Sequence, residues 1–218
     1  MVAPLQPLEI QIWPIDRLVF YIRNPRKNDS AVDRMCSSLR EFGHASKFTR
    51  EVLDGLLRIG FLYHQQIIWD KGRTVLTRTL YWFQHEPCWF VRKKNAPWYG
   101  KPGENSTIWA SPSPKFIYGA SDEEKYDHPT QKPVDLMRRP ILNHTKRGEL
   151  VYDGFLGSGT TLIAAELTER VCYGLELDPK YVDVIVQRWQ TLSGKKAKLD
   201  GDGWTFDEIA TRGREEPA

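Results

Sequence analysis

Three observations near the C-terminal end of the sequence predict an α/β fold. A short β-prone run over 150–153 meets a glycine turn over 155–161, and an apolar, helix-favouring run over 162–167 follows it. A second β-prone run over 171–176 ends on an acid, Glu176, about 20 residues past the glycine pair, where a carboxylate closing the second strand of a βαβ unit reaches ribose hydroxyls. Strand, turn, helix and strand in that order point to a cofactor that contains a nucleoside.

The glycines narrow the choice. Gly157 and Gly159 admit backbone angles closed to other residues and let a ligand approach the main chain. Thr160 and Thr161 stand where a helix begins, and its free N–H groups attract an anion or carboxylate. A dinucleotide fold would place a third glycine where this chain has Leu162, and a phosphate loop would place a lysine where it has Thr160. A nucleoside triphosphate is therefore poorly supported.

Composition sets outer limits. The chain has 218 residues, 40% of them hydrophobic, with eight tryptophans, enough for one substantial domain with a small appendage. No run is long and apolar enough to span a membrane, and the N-terminal stretch lacks the charged start and apolar middle of a signal peptide, so a cytoplasmic protein is expected. Cys36, Cys88 and Cys172 are odd in number and without a CxxC pair, which predicts buried, reduced thiols. The formal charge of +3 is too small to argue for nucleic acid, although an average hides a locally basic face.

Taken in order, the chain opens with an alternating run over 9–13 and a proline-broken loop over 23–28. Ser30 and Asp33 make a capping-box start, and Val32, Met35, Cys36, Leu39 and Phe42 recur at helical spacing, which predicts a helix over 31–42. A second helix is expected over 49–60, closed by Gly60, then a strand over 61–69 with a buried end at Ile67, Ile68 and Trp69. Further strand candidates are 80–83 and 88–91, separated by Pro87, which cannot donate to a ladder.

Between Lys71 and Lys101 the charged residues are Lys71, Arg73, Arg78, Arg92, Lys93, Lys94 and Lys101 against the single acid Glu86, with Tyr81, Trp82, Trp89, Trp98 and Tyr99 interleaved. Arg92, Lys93 and Lys94 are candidate DNA contacts; the aromatics are expected mainly in the core, with base stacking as the alternative. Residues 96–127 form a long loop rich in Pro, Gly, Ser and Asn. A helix interrupted by Pro140 follows, and Asp178 and Pro179 begin the last clear helix as N-cap and first residue, with Val182, Ile185, Val186 and Trp189 on one face. His44, His64, His85 and His144 show no metal-ligand spacing.

Asp153 to Thr161, then Glu176 to Tyr181 (ELDPKY), with HPTQKP at 128–133 upstream, resembles the amino-group DNA methyltransferases that use S-adenosylmethionine and methylate adenine N6 or cytosine N4. The order matches their circularly permuted members, in which the cofactor half comes last. The resemblance implies a Rossmann-like methyltransferase sheet over 44–195 and double-stranded DNA as partner. It implies S-adenosylmethionine held by Asp153, Phe155, Gly157, Gly159, Thr160 and Glu176, with Thr130 and Lys132 beside its methionine end. Tyr181 would cover the adenine.

Residues 10–43 resemble the opening of a ParB-like nuclease domain, found ahead of such methyltransferases in phage and prophage proteins, and 1–43 is taken as a small N-terminal α+β appendage. Residues 196–218 are expected to be a loose charged tail. The family's catalytic tetrapeptide, Asp/Asn/Ser-Pro-Pro-aromatic, is absent from the sequence, so no catalytic residue is assigned and the sheet is expected to be incomplete. Gly154 stands where the family usually has proline. An incomplete sheet exposes edges that invite a homodimer. The alternative to a methyltransferase is a non-enzymatic DNA- or partner-binding remnant.

Overall fold

The computed structural model describes residues 9–10, 46–74, 80–112 and 131–215. In chain order these form β1 (Glu9–Ile10), α1 (Ser46–Arg58), β2 (Leu62–Asp70), β3 (His85–Arg92), β4 (Ile108–Ala110), α2 (Val134–His144), β5 (Leu150–Asp153), α3 (Thr160–Leu167), β6 (Val171–Gly174), α4 (Pro179–Ser193), β7 (Lys198–Leu199) and α5 (Phe206–Glu215). The helix expected over 31–42 and most of the ParB-like segment lie outside the described residues.

The βαβ unit forms as the sequence predicts. β5 and β6 pair in parallel, Leu150 with Val171 through Asp153 with Gly174, and α3 is the crossover. Alternation along β5 turns Val151 and Asp153 towards the helices, while Leu150 and Tyr152 are exposed, as is Tyr173 on β6. The helix α3 carries apolar residues around most of its circumference, because two helices and a strand enclose it. Leu162 and Ile163 join Ile185, Val186 and Trp189 of α4 in one core cluster, and Ala164 and Ala165 pack with Ile141 of α2 in a second. The two alanines are fully buried, and their small side chains let α2 come close.

The second sheet has the order β3-β2-β4, with β2 antiparallel to β3 and parallel to β4. Its buried end is at Trp69, as expected, whose indole Nε1 donates to the carbonyl of Ser111 at 2.7 Å. Pro87 lies within β3 opposite Ile68. Among the described strands β3 bonds only to β2, so a residue without N–H is tolerated there. In the same sense β5 bonds only to β6. Among the described strands the Rossmann-like sheet thus stands as two separate pieces.

Four expectations are corrected. Residues 80–84 are not a strand: Leu80 and Tyr81 stand in solvent, and pairing with β2 begins only at His85. The helix α2 runs unbroken through Pro140, which removes one intrahelical donor, because buried Leu136 and Ile141 anchor it on either side. The C-terminal segment is not loose over its described length. Thr205 caps α5 in a reciprocal box, its N–H donating to Glu208 Oε2 at 2.8 Å, and the Phe206 N–H donates to the Ala197 carbonyl. Cys88 and Cys172 are half-buried rather than buried, and burial first, with Asp153 adding to it, pushes the Cys172 thiol up to about 12.

Glu169 follows the C-cap of α3 with φ 60°, the left-handed region that favours glycine. Its ion pair with Arg147 is solvent-exposed and contributes little. Glu169→Gly is expected to stabilise the fold by about 1 kcal/mol, raising Tm by about 2–4 °C in a thermal melt.

Candidate functional site

The glycine turn is held by the two acids that flank it. Asp153, at the end of β5, accepts the Phe155 N–H at 2.9 Å through Oδ1 and the Thr161 hydroxyl at 2.6 Å through Oδ2. Glu176, just past β6, accepts the Gly157 N–H at 2.7 Å through Oε2 and the Asp178 N–H at 3.0 Å through Oε1. The backbone of Leu156 and Leu175 closes the gap, with Leu156 N–H on the Leu175 carbonyl at 2.9 Å. One carboxylate therefore shapes the turn from within its own strand, and the other clamps it to the start of α4.

Gly157 and Gly159 both have positive φ, 56° and 80°. At Gly159 a Cβ would also lie 3.1 Å from two carbons of Ile185, so this position is closed to a side chain by angle and by space. Gly174 is a third constrained glycine that the sequence did not single out: a Cβ there would meet Leu156 at 2.6 Å.

Beneath the turn lies Arg188 of α4, buried at 4% exposure, also not singled out from the sequence. Its Nη1 donates to the Ser158 carbonyl and to the Thr160 hydroxyl, both at 3.1 Å. Thr160 in turn donates to the Lys132 carbonyl at 3.1 Å, which ties the turn to the segment leading into α2. The signal was legible, since Arg188 falls on the apolar stripe that carries Ile185, Val186 and Trp189.

Lys132 belongs to an ion cluster. Its Nζ lies 3.0 Å from Glu86 Oε2, while Lys71 Nζ lies 2.6 Å from Oε1 of the same carboxylate. Both ammonium groups also approach the ring of Trp69, at 5.1 and 5.2 Å from its centroid. Burial acts to raise the Glu86 pKa, but Lys132 and Lys71 outweigh it and hold the carboxyl below its usual range.

The remaining candidates are spread out. Phe155 is exposed on the turn, Tyr181 is half-buried on the first turn of α4, and Thr130 lies outside the described residues. Arg92 ends β3, Lys94 is exposed, and Lys93 donates to the Ile59 carbonyl at 3.1 Å with its ammonium 4.2 Å from the Phe61 ring centroid. Lys93 thus closes the end of α1. His144 lies against the rings of Phe90 and Trp98 and 2.9 Å from the Pro97 carbonyl, a structural setting.

The donor and acceptor set around the turn suits a ligand with hydroxyls at one part and a carboxylate at another. A carboxylate offers about four acceptor sites, and Glu176 uses two on the protein. Gly159 is the N-cap of α3 and supplies no side-chain acceptor, so the first N–H groups of that helix remain for an anion.

A family model described as DNA methylase matches residues 29–187. The chain belongs to that family. M1.HpyAVI, solved as a complex with SAM, is 30% identical with a TM-score of 0.53, over 66% of this chain and 70% of its own. The cytosine-N4-specific PvuII DNA methyltransferase, at 19% identity and TM-score 0.56, shares the fold over 71% of this chain and 66% of its own. Among curated relatives, the Type II methyltransferase M2.DpnII of Streptococcus pneumoniae is 30% identical over 138 residues, 59% of this chain and 52% of its own length. The Type II methyltransferase M.BglII of Bacillus subtilis is 41% identical over 73 residues, 34% of this chain and 19% of its own. The chain thus spans about half or less of these two curated relatives.

Two mutational contrasts test this geometry. Gly159→Ala should cost about 1–2 kcal/mol, whereas Gly154→Ala, whose Cβ would meet the Tyr152 hydroxyl at an ordinary 3.5 Å, should stabilise by about 0.4–1 kcal/mol in denaturant melts. Because the Glu86 pKa is lowered on folding, its contribution is present above the unfolded value near 4.3 and is lost as pH falls through the folded value. Glu86→Gln should therefore lower stability at neutral pH by about 3 kcal/mol and flatten the loss of Tm between about pH 5 and pH 3, read by thermal unfolding across that range.

Proposed function

We propose that this chain is a site-specific DNA methyltransferase of the amino type, acting on adenine N6 or cytosine N4 of double-stranded DNA with S-adenosylmethionine at the glycine turn. The observation that carries the reading is the turn itself, fixed by Asp153 and Glu176 with Gly159 leaving the start of α3 uncapped. Glu176 would take the ribose hydroxyls on its remaining acceptor sites, Phe155 would lie along the adenine, and the N–H groups of Thr160 and Thr161 at the start of α3 would line the ligand's path. Asp153 acts by holding the turn open. The Lys132 ammonium is shared with Glu86, so it would offer the methionine carboxylate only part of its charge.

When bound, the cofactor would supply an activated methyl group, carried on a sulfonium sulfur, for the exocyclic nitrogen of a flipped base. What the chain contributes is binding and orientation. Pulling on the amino proton falls to the Asp/Asn/Ser-Pro-Pro-aromatic tetrapeptide in the resembling enzymes, and the sequence lacks it. Methyl transfer by this chain alone is therefore impaired. The reading also takes the parts in permuted order, with a ParB-like remnant over 1–43, a methyltransferase domain over 44–195 and a cytoplasmic location. Among the described residues no helix is long and apolar enough to cross a membrane.

Thermal unfolding with S-adenosylmethionine at about 100 times its Kd tests the cofactor assignment: stabilisation of about 2.7 kcal/mol, or about 5–10 °C, is expected. Glu176→Ala should remove the shift. A cooperative melt that does not move with the ligand would sink the assignment and favour a remnant without a cofactor.

A further inference from the structure

Three polar side chains lie out of water beneath the glycine turn: Ser158, Thr160 and Arg188 are 3%, 5% and 4% exposed. Arg188 Nη1 donates to the Ser158 carbonyl and to the Thr160 hydroxyl, and that hydroxyl donates to the Lys132 carbonyl at 3.1 Å. A guanidinium can only donate and a carbonyl can only accept, so the Thr160 proton has one direction open to it. The hydroxyl is thereby fixed in orientation as well as in place.

These bonds join three elements. Arg188 belongs to α4, Thr160 is the first residue of α3, and Lys132 leads into α2. The guanidinium grips the residues on either side of Gly159, which is the N-cap of α3 and has no side chain of its own to fix the helix start. The direction of the first N–H groups of α3, and the distance between them and the Lys132 segment, are both set from α4. The Glu176 clamp uses a different set of bonds, to the Gly157 and Asp178 N–H groups. The two ends of the site are therefore built by separate means.

We propose that Arg188 is a positioning residue for the carboxylate end of S-adenosylmethionine. Through Thr160 it sets the start of α3 and the Lys132 segment against the ligand's carboxylate, while Glu176 holds the nucleoside end independently. The proposal rests on the cofactor assignment and adds the residue that orders one end of the site. Donors already held in direction lose little freedom when an anion arrives, and hydrogen bonds to a charged acceptor depend steeply on that direction.

Calorimetric titration with S-adenosylmethionine and with its decarboxylated form, which keeps the nucleoside, the sulfonium and the amine, tests the assignment. The wild-type chain should bind the full cofactor more tightly. Arg188→Met should weaken S-adenosylmethionine by about 10- to 100-fold and the decarboxylated form by less than about 3-fold, and Arg188→Lys, which still donates, should recover part of the loss. Thr160→Val keeps the shape of the side chain and removes the hydroxyl, so it should show the same selective loss, and it carries the test if Arg188→Met does not melt cooperatively. Loss of both ligands to the same extent, or of neither, refutes the positioning role while the cofactor assignment stands. Equal affinity of the wild-type chain for the two ligands refutes it as well, since the carboxylate would then gain nothing at α3. If the wild-type chain binds neither ligand, the cofactor assignment itself fails and the positioning role falls with it.

Discussion

A carboxylate shared by two lysines fixes where the three-stranded sheet stands relative to the glycine turn. Glu86 and Lys71 belong to the β2–β3 hairpin, whereas Lys132 leads into α2, and the carbonyl of Lys132 holds the Thr160 hydroxyl at the start of α3. Desolvating three charges is costly, and the cluster is tolerated because Trp69 lies under both ammonium groups and the carboxylate is met on each oxygen. Removing the acid would leave two cations facing one another. That asymmetry makes Glu86 a register pin more than a source of net stability.

The same economy of contacts operates at the turn. Asp153, Glu176 and Arg188 each bond to backbone or to a threonine of the 153–161 segment, so the turn keeps its shape from the protein's own groups. Arg188 reaches it from below, out of an otherwise apolar helix face, where an unshared guanidinium would be expensive. A turn built in this way is organised before any ligand arrives, and less ordering remains to be done on binding.

What was legible in the sequence was what backbone chemistry enforces locally. Gly159 signals a left-handed residue, Asp178 and Pro179 signal a helix start, and the structure has φ 80° at the first and the Asp178 carboxylate accepting the Lys180 N–H beside the second. The hydrophobic run of 162–167 signalled burial, and the helix there is the centre of the core. Less legible were features set by distant partners. Leu80 and Tyr81 have a strand-like composition, but among the described residues no strand pairs with them. The break expected at Pro140 does not occur, because packing on both sides carries the helix across a missing bond. The capping box of Thr205 and Glu208 is present in the sequence as a pattern, set within a strongly charged stretch that resembles a tail. The family's catalytic tetrapeptide is missing from the sequence, and among the described strands the sheet stands in two pieces.

One small ladder has a large topological effect. β1 pairs in parallel with β7, Glu9 with Lys198 and Ile10 with Leu199, so two points about 190 residues apart are brought together to close a ring of chain. Closing a ring of that size is entropically demanding, yet the penalty grows only with the logarithm of its length. Everything functional lies on the circumference: hairpin, ion cluster and glycine turn. A single cut within that ring would leave two fragments joined by this short ladder and, for a cut between β3 and α2, by the Glu86–Lys132 ion pair.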